Sequence, residues 1–148
     1  MRRSFRPEQN KNRIGTAIVE TAFMLPIMLS VTFGVVEFGR ALMVSNLITN
    51  AAREANRMSI IRGVTTAEVK AMAVDQVFRT VGTTITNSAV TVTVTAHPGN
   101  PDPGNETANA STRDLVEVQV DVDYDDVGYF FRFLAGVTLK GNSAMRHE

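Results

Sequence analysis

Apolar residues are concentrated in one long run near the start of the chain. Between Ile14 and Phe38 the only ionisable residues are Glu20 and Glu37. As an α-helix, this run would be about 37 Å long at about 1.5 Å per residue, whereas the hydrocarbon core of a bilayer is roughly 30 Å thick. The pattern therefore predicts an N-terminal helix that spans a membrane with some tilt.

The apolar spacing then changes to that of an amphipathic helix. Apolar residues three and four apart predict that the first helix continues to about residue 61 with one buried face: Ala41, Val44, Ile48, Ala51, Ala55 and Met58. Gly63 is a helix stop, and Thr65 with Glu68 has the spacing of a capping box. A second helix is predicted over 65–81, with its own buried stripe: Val69, Met72, Ala73, Val77 and Val81.

After Gly82 the pattern alternates with a period of two, which is typical of half-buried strands. One strand is predicted at Val90 to Val94 and a second at Val116 to Tyr124, separated by a long loop rich in proline and glycine. A third strand is predicted at Val137 to Met145. An aromatic segment before it is expected to pack against the core: Phe130, Phe131, Phe133 and Leu134. A small antiparallel sheet with one apolar face needs a cover, which the two helices can supply.

An acidic row ends the second predicted strand. Asp121, Asp123 and Asp125 are expected on one face, with Asp126 beside them. Calcium needs six to eight converging oxygens, and a straight strand converges poorly. The row therefore predicts a solvated face or a docking patch for a basic partner.

Composition excludes several function classes. Lys+Arg and Asp+Glu both number 15, so no net charge draws the protein to nucleic acid. There is no cysteine, which excludes disulfides and thiol chemistry. The two histidines, His97 and His147, lack metal-ligand spacing, and no Ser-His-acid arrangement is recognisable. We expect no metal, no cofactor and no enzymatic activity.

Charge is asymmetric around the apolar run. Five basic residues precede it against the single acid Glu8: Arg2, Arg3, Arg6, Lys11 and Arg13. Only three follow it closely: Arg40, Arg53 and Arg57. This bias predicts a cytoplasmic N-terminus and an extracytoplasmic C-terminal domain. A secretory signal peptide is the alternative, but the length of the apolar run and the absence of a small-x-small cleavage site favour retention.

Glu20 lies inside the apolar run, where an isolated carboxylate is costly, at about 3 kcal/mol near the centre of a bilayer. It follows Gly15 by five positions, after a basic leader. This arrangement resembles a prepilin processing site. Cleavage after Gly15 would give Thr16 a terminal ammonium one helical turn before Glu20, which would neutralise the carboxylate in its own chain or in a neighbouring subunit. The alternative is an interfacial glutamate that snorkels to water.

Glu20 and three other features of the sequence make the resemblance to pilins more specific. They are Glu20, Pro26, the Glu37-Phe38-Gly39-Arg40 block and the Asn50-Ala51-Ala52-Arg53-Glu54-Ala55 block. Together they resemble the N-terminal signature of the TadE-like pseudopilins of tight-adherence (Flp-type) pili. The resemblance implies a pseudopilin or minor pilin of the bacterial inner membrane, which is a substrate of prepilin peptidase. Its implied partners are other pilins or pseudopilins and the pilus assembly platform.

Two local features of the predicted membrane span lead to further predictions. Pro26 has no N–H to donate to the carbonyl of Ala22, so the helix is expected to kink or loosen there. Glu37 and Arg40 lie three residues apart, and we expect them to pair at the outer membrane interface.

The sequence thus predicts an α+β, pilin-like protein with three parts: a basic leader at 1–15, a transmembrane helix at 16–39 and an extracytoplasmic α+β domain at 40–148. Other interpretations remain. They are a signal-anchored periplasmic sensor or adhesion module, a secretion-system pseudopilin and, with little support, an accessory of a periplasmic hydrolase. An incidental anchor would keep its original N-terminus, whereas a pseudopilin would begin at Thr16.

Overall fold

The computed structural model describes residues 10–128 and 134–148, with side chains from residue 15 onward. The chain divides into two compact units, Met1–Val36 and Glu37–Glu148. The basic side chains of the predicted leader and the aromatic residues at 129–133 lie outside the described part.

Two helices account for the first half of the chain, as predicted. Helix α1 spans Asn10–Ser59 and α2 spans Thr66–Val81. The predicted capping box is confirmed, because Thr65 accepts a hydrogen bond from the Glu68 backbone and Glu68 accepts one from the Thr65 backbone. Gly82 ends α2 in the left-handed conformation at φ 83°, which glycine adopts without a steric cost.

Three strands form one antiparallel sheet in the order β1-β2-β3. Their bounds are Val90–Thr95 for β1, Leu115–Asp123 for β2 and Thr138–Arg146 for β3. Val92 pairs with Val118, and Val118 pairs with Ser143. The α+β fold class is confirmed, and each strand lies within one residue of its predicted position.

The core of the second unit lies between one face of the sheet and the helices. Alternate valines of β1 and β2 are buried, as are the predicted apolar positions of α1 from Ala41 to Ala55. Gly141 of β3 marks a close approach to α1, since a Cβ atom there would lie 2.6 Å from the backbone nitrogen of Thr49. Val69, Ala73 and Val77 bury the inner face of α2.

The acidic row is not a single strand face, and this part of the prediction was wrong. β2 ends at Asp123, and Tyr124–Asp126 form a 3₁₀ turn, so Asp125 does not continue the alternation. The physical reason is that the backbone turns at Tyr124, whose carbonyl accepts hydrogen bonds from the backbone N–H groups of Val127 and Gly128. Asp121 instead accepts hydrogen bonds from Gln119, and Asp123 accepts one from Thr138.

Candidate functional site

The first unit presents its apolar side chains outward. Residues 15–36 are exposed apart from the half-buried Gly34, and the exposed fractions of Phe23 and Met28 are 74% and 73%. In the described part of the chain, one helix is long and apolar enough to cross a membrane, and this segment is Gly15–Ser59 of α1. Apolar surface on this scale requires lipid or protein around it.

The predicted processing site lies on α1. A Cβ atom placed on Gly15 would meet nothing within 4 Å, so the folded chain does not require glycine here for packing. Thr16 follows within the same helix, four residues before Glu20. Residues four apart on an α-helix lie on the same face, with Cβ atoms about 5–6 Å apart. The helix thus places the prospective new N-terminus on the Glu20 face.

Glu20 is exposed, and no other described residue donates a hydrogen bond or ion pair to its carboxylate. Its immediate neighbours on the helix surface are Thr21, Met24, Leu25 and Met28. None of these can neutralise a carboxylate. In the uncleaved chain, therefore, no described side chain of residues 15–36 offsets the cost of this charge in a membrane.

Three hydroxyl groups of the apolar run, unlike the Glu20 carboxylate, form hydrogen bonds within their own helix. Thr21, Ser30 and Thr32 each donate to the backbone carbonyl four residues earlier, at 2.8 Å in every case. Such bonds let a polar side chain remain in a lipid-facing helix. These bonds were not predicted from the sequence, although hydroxyl residues inside an apolar helix are a signal for them.

Pro26 lies inside α1, and the helical assignment continues through it. The acceptor of the Ser30 hydroxyl bond is the Pro26 carbonyl. A kink at this position stays a prediction.

Glu37 and Arg40 belong to the second unit. Glu37 is 5% exposed, and its backbone carbonyl accepts a hydrogen bond from the Tyr124 hydroxyl at 3.2 Å. Arg40 Nε donates to the carbonyl of Val127 at 3.3 Å. Burial, followed by hydrogen bonding to Glu37, raises the pKa of Tyr124 to about 12. Both residues thus contact the turn after β2, and their predicted mutual pairing stays a prediction.

The described residues include no group of three His, Asp or Glu side chains that could hold a metal ion. Residues 15–36 have the geometry of an anchor, because they form an exposed apolar helix in which Glu20 is the one charged side chain. The molecule is in this respect a membrane-anchored α+β protein.

The N-terminal helix also matches a known family. Residues 15–57 match the family model described as TadE-like protein, and this segment contains Gly15, Glu20, Pro26, Glu37 and Arg40. The segment therefore carries a TadE-like domain, as the sequence resemblance predicted. No curated protein and no solved structure matches the chain. The TadE-like domain links the protein to tight-adherence pilus systems and their assembly components.

Proposed function

We propose that this protein is a pseudopilin or minor pilin that acts in assembly of a tight-adherence pilus and is cleaved after Gly15 by prepilin peptidase. It is anchored in the bacterial inner membrane with its N-terminus in the cytoplasm and residues 40–148 in the periplasm. Its role is structural and not enzymatic. The observation that carries the proposal is the Glu20 carboxylate, which has no partner among the described residues and lies one helical turn after Thr16 in an exposed apolar helix.

Cleavage changes the charge balance of this helix. Before it, Thr16 is an internal residue with a neutral amide. After it, Thr16 carries an ammonium group at the start of the helix, where the backbone also leaves N–H groups without helical partners. An ammonium and a carboxylate attract strongly where water is excluded, because the effective dielectric constant is low.

The ammonium of one subunit can neutralise Glu20 of its neighbour while the apolar helix faces pack laterally. A slip by one residue moves the two charges about 1.5 Å apart along the axis. The charge pair therefore sets the register between helices. Hydroxyls that bond their own backbone, such as Thr21, are not available to compete for this role.

A matched pair of glutamate variants tests the proposal. Glu20→Gln keeps the side-chain shape and removes the charge, whereas Glu54→Gln does the same on the domain half of α1, where Glu54 lies 3.7 Å from Arg57 at the surface. We expect Glu20→Gln to remain folded and membrane-bound but to lose pilus assembly, measured as surface fibre yield. Glu54→Gln should assemble like the wild type, because an exposed ion pair contributes little. Unchanged fibre yield in Glu20→Gln would contradict the proposed role.

A further inference from the structure

A polar cleft of about 380 Å³ lies within the second unit, where three segments meet. The turn between α1 and α2 contributes Arg62 and Gly63, and His147 follows β3. The loop before β2 contributes the remaining lining residues: Ala108, Ala110, Ser111 and Thr112. No acidic side chain lines this cleft, which distinguishes it from the acidic turn after β2.

Arg62 supplies a positive charge to the cleft. Among the described residues, no side chain or backbone group forms a hydrogen bond or ion pair with its guanidinium. The surface arginines Arg57 and Arg79, by contrast, pair with Glu54 and Asp75. Arg62 therefore lines the cleft with its donors available.

His147 provides the second, independent observation. It is 4% exposed, yet its Nδ1 has no hydrogen-bond partner in the described part of the molecule. Its backbone is held firmly, because its N–H donates to the Asp114 carbonyl at 2.9 Å and its carbonyl accepts from the Arg113 N–H at 2.7 Å. A buried polar atom without a partner is unusual in a folded protein and marks the His147 side of the cleft as a candidate contact for a bound group.

The nearest acid does not satisfy this imidazole. The Asp114 carboxylate already accepts hydrogen bonds from the backbone of His97 at 2.8 Å, the backbone of Ser111 at 2.7 Å and the side chain of Asn100 at 2.7 Å. These bonds fix the loop before β2 beside the cleft. They also leave the Ser111 and Thr112 hydroxyls without described partners.

We infer that this cleft binds a small oxyanion, a carboxylate or phosphate group, between the Arg62 guanidinium, the Ser111 and Thr112 hydroxyls and the His147 imidazole. Guanidinium binds either group through paired N–H donors, and hydroxyls and imidazole add further donors. A cation is disfavoured because the lining residues include a cation and no carboxylate. This site is separate from the proposed pilus role of Glu20.

The two histidines allow a direct test in the full-length protein. The protein is labelled with ¹⁵N-histidine, placed in lipid nanodiscs and titrated with inorganic phosphate or, separately, with acetate. Sodium chloride at equal ionic strength is the blank. We expect a saturable shift of the His147 imidazole signals in at least one arm and no shift of His97, whose Nδ1 already contacts the Pro98 carbonyl at 3.0 Å. The arm that saturates at the lower concentration identifies the preferred group.

A pair of arginine variants gives the second readout. Arg62→Gln should weaken binding at least about tenfold, because a charge-assisted hydrogen bond is lost. Arg79→Gln removes another exposed arginine, on α2 and outside the cleft lining, and should leave binding unchanged. No saturable His147 shift in either arm, parallel shifts of both histidines, or equal affinities for wild type and Arg62→Gln would each overturn the inference.

Discussion

The two halves of α1 differ in what surrounds their apolar side chains. Before Glu37, large residues such as Phe23 and Met28 are about three-quarters exposed. After it, Val44 and Ile48 are fully buried against the chain's own sheet. Among the described residues, this helix has apolar partners for its second half only. The first half needs lipid or protein around it, as the membrane anchor and assembly segment that we propose would.

The two glutamates of the apolar run show the same contrast. Glu37 is buried, and its backbone carbonyl is bonded to Tyr124. Glu20 is exposed and has no partner in the described part of the chain. A glutamate packed within its own domain supports folding, whereas a glutamate on the apolar helix that has no partner among the described residues is available for contacts between subunits.

Glycine substitutions should give the largest difference in stability between the packed second unit and the exposed apolar helix. In Gly141→Val, the new Cβ would lie 2.6 Å from Thr49 N and 2.7 Å from Ile48 C, and backbone atoms cannot move aside cheaply. We expect a loss of about 3 kcal/mol in the free energy of unfolding, although valine is otherwise favoured in strands. Gly34→Val, where a Cβ meets nothing within 4 Å, is the control. Thermal unfolding by circular dichroism measures both, and equal melting temperatures would contradict the packing described for β3.

Asn56 should show the next largest effect. Its side chain is fully buried, donates to the Val116 carbonyl and Ser143 at 3.3 Å, and accepts from Ser59 at 2.8 Å. Asn56→Ala should cost about 2 kcal/mol in chemical denaturation, because buried partners lose their bonds. Asn46→Ala, at an exposed position on the same helix, should stay within about 0.5 kcal/mol of the wild type.

Tyr124→Phe removes the hydroxyl bond to Glu37 and should cost about 1 kcal/mol at neutral pH. The pKa of Tyr124 is raised from 10.0 to about 12, so the folded state holds this proton more tightly than the unfolded state does. Its contribution is complete below about pH 10 and is lost as pH rises to about 12. Stability measured against pH should therefore fall more steeply for the wild type than for Tyr124→Phe in this window. Parallel curves would contradict the buried hydroxyl.

The capping box should give the smallest effect. Thr65→Ala should cost about 1 kcal/mol, and Thr80→Ala, at an exposed position late in the same helix, should cost less. Hydrogen bonds from the Thr65 backbone, then from its side chain, lower the pKa of Glu68 from 4.5. The contribution of Glu68 is therefore present above about pH 4.5 and is lost as pH falls through the lowered value. Because Thr65→Ala keeps the backbone N–H that donates to Glu68, the acid dependence is tested with Glu68→Gln, and equal acid sensitivity of wild type and Glu68→Gln would argue against the reciprocal bonds.

Local patterns predicted most of the fold. The Thr65 and Glu68 pair acts within one turn, and the alternating valines of β1 and β2 report burial residue by residue, so both were readable from the sequence. The 3₁₀ turn at Tyr124–Asp126 was not predicted, and the bond from the Tyr124 hydroxyl to Glu37 joins residues 87 positions apart in sequence. The approach of Gly141 to Ile48 likewise requires the assembled sheet.

The candidate site residues also include some that the sequence predicts and some that it does not. Gly15, Thr16 and Glu20 could be identified from spacing and charge because they act within one helical turn. The cleft at Arg62 and His147 could not, because three segments distant in sequence form it. In the sequence, the one sign of this cleft is a pair of polar residues, Ser111 and Thr112, in a loop that contains many other polar residues.

The most direct measurement is the intact mass of the protein extracted from membranes of cells with active or inactivated prepilin peptidase. The account predicts a polypeptide that begins at Thr16 in the first case and at Met1 or Arg2 in the second. Gly15→Val should block this cleavage, whereas Gly34→Val should leave it unchanged. Wild-type protein that keeps residues 1–15 in cells where the peptidase processes its other substrates would contradict the account and leave an ordinary membrane-tethered domain.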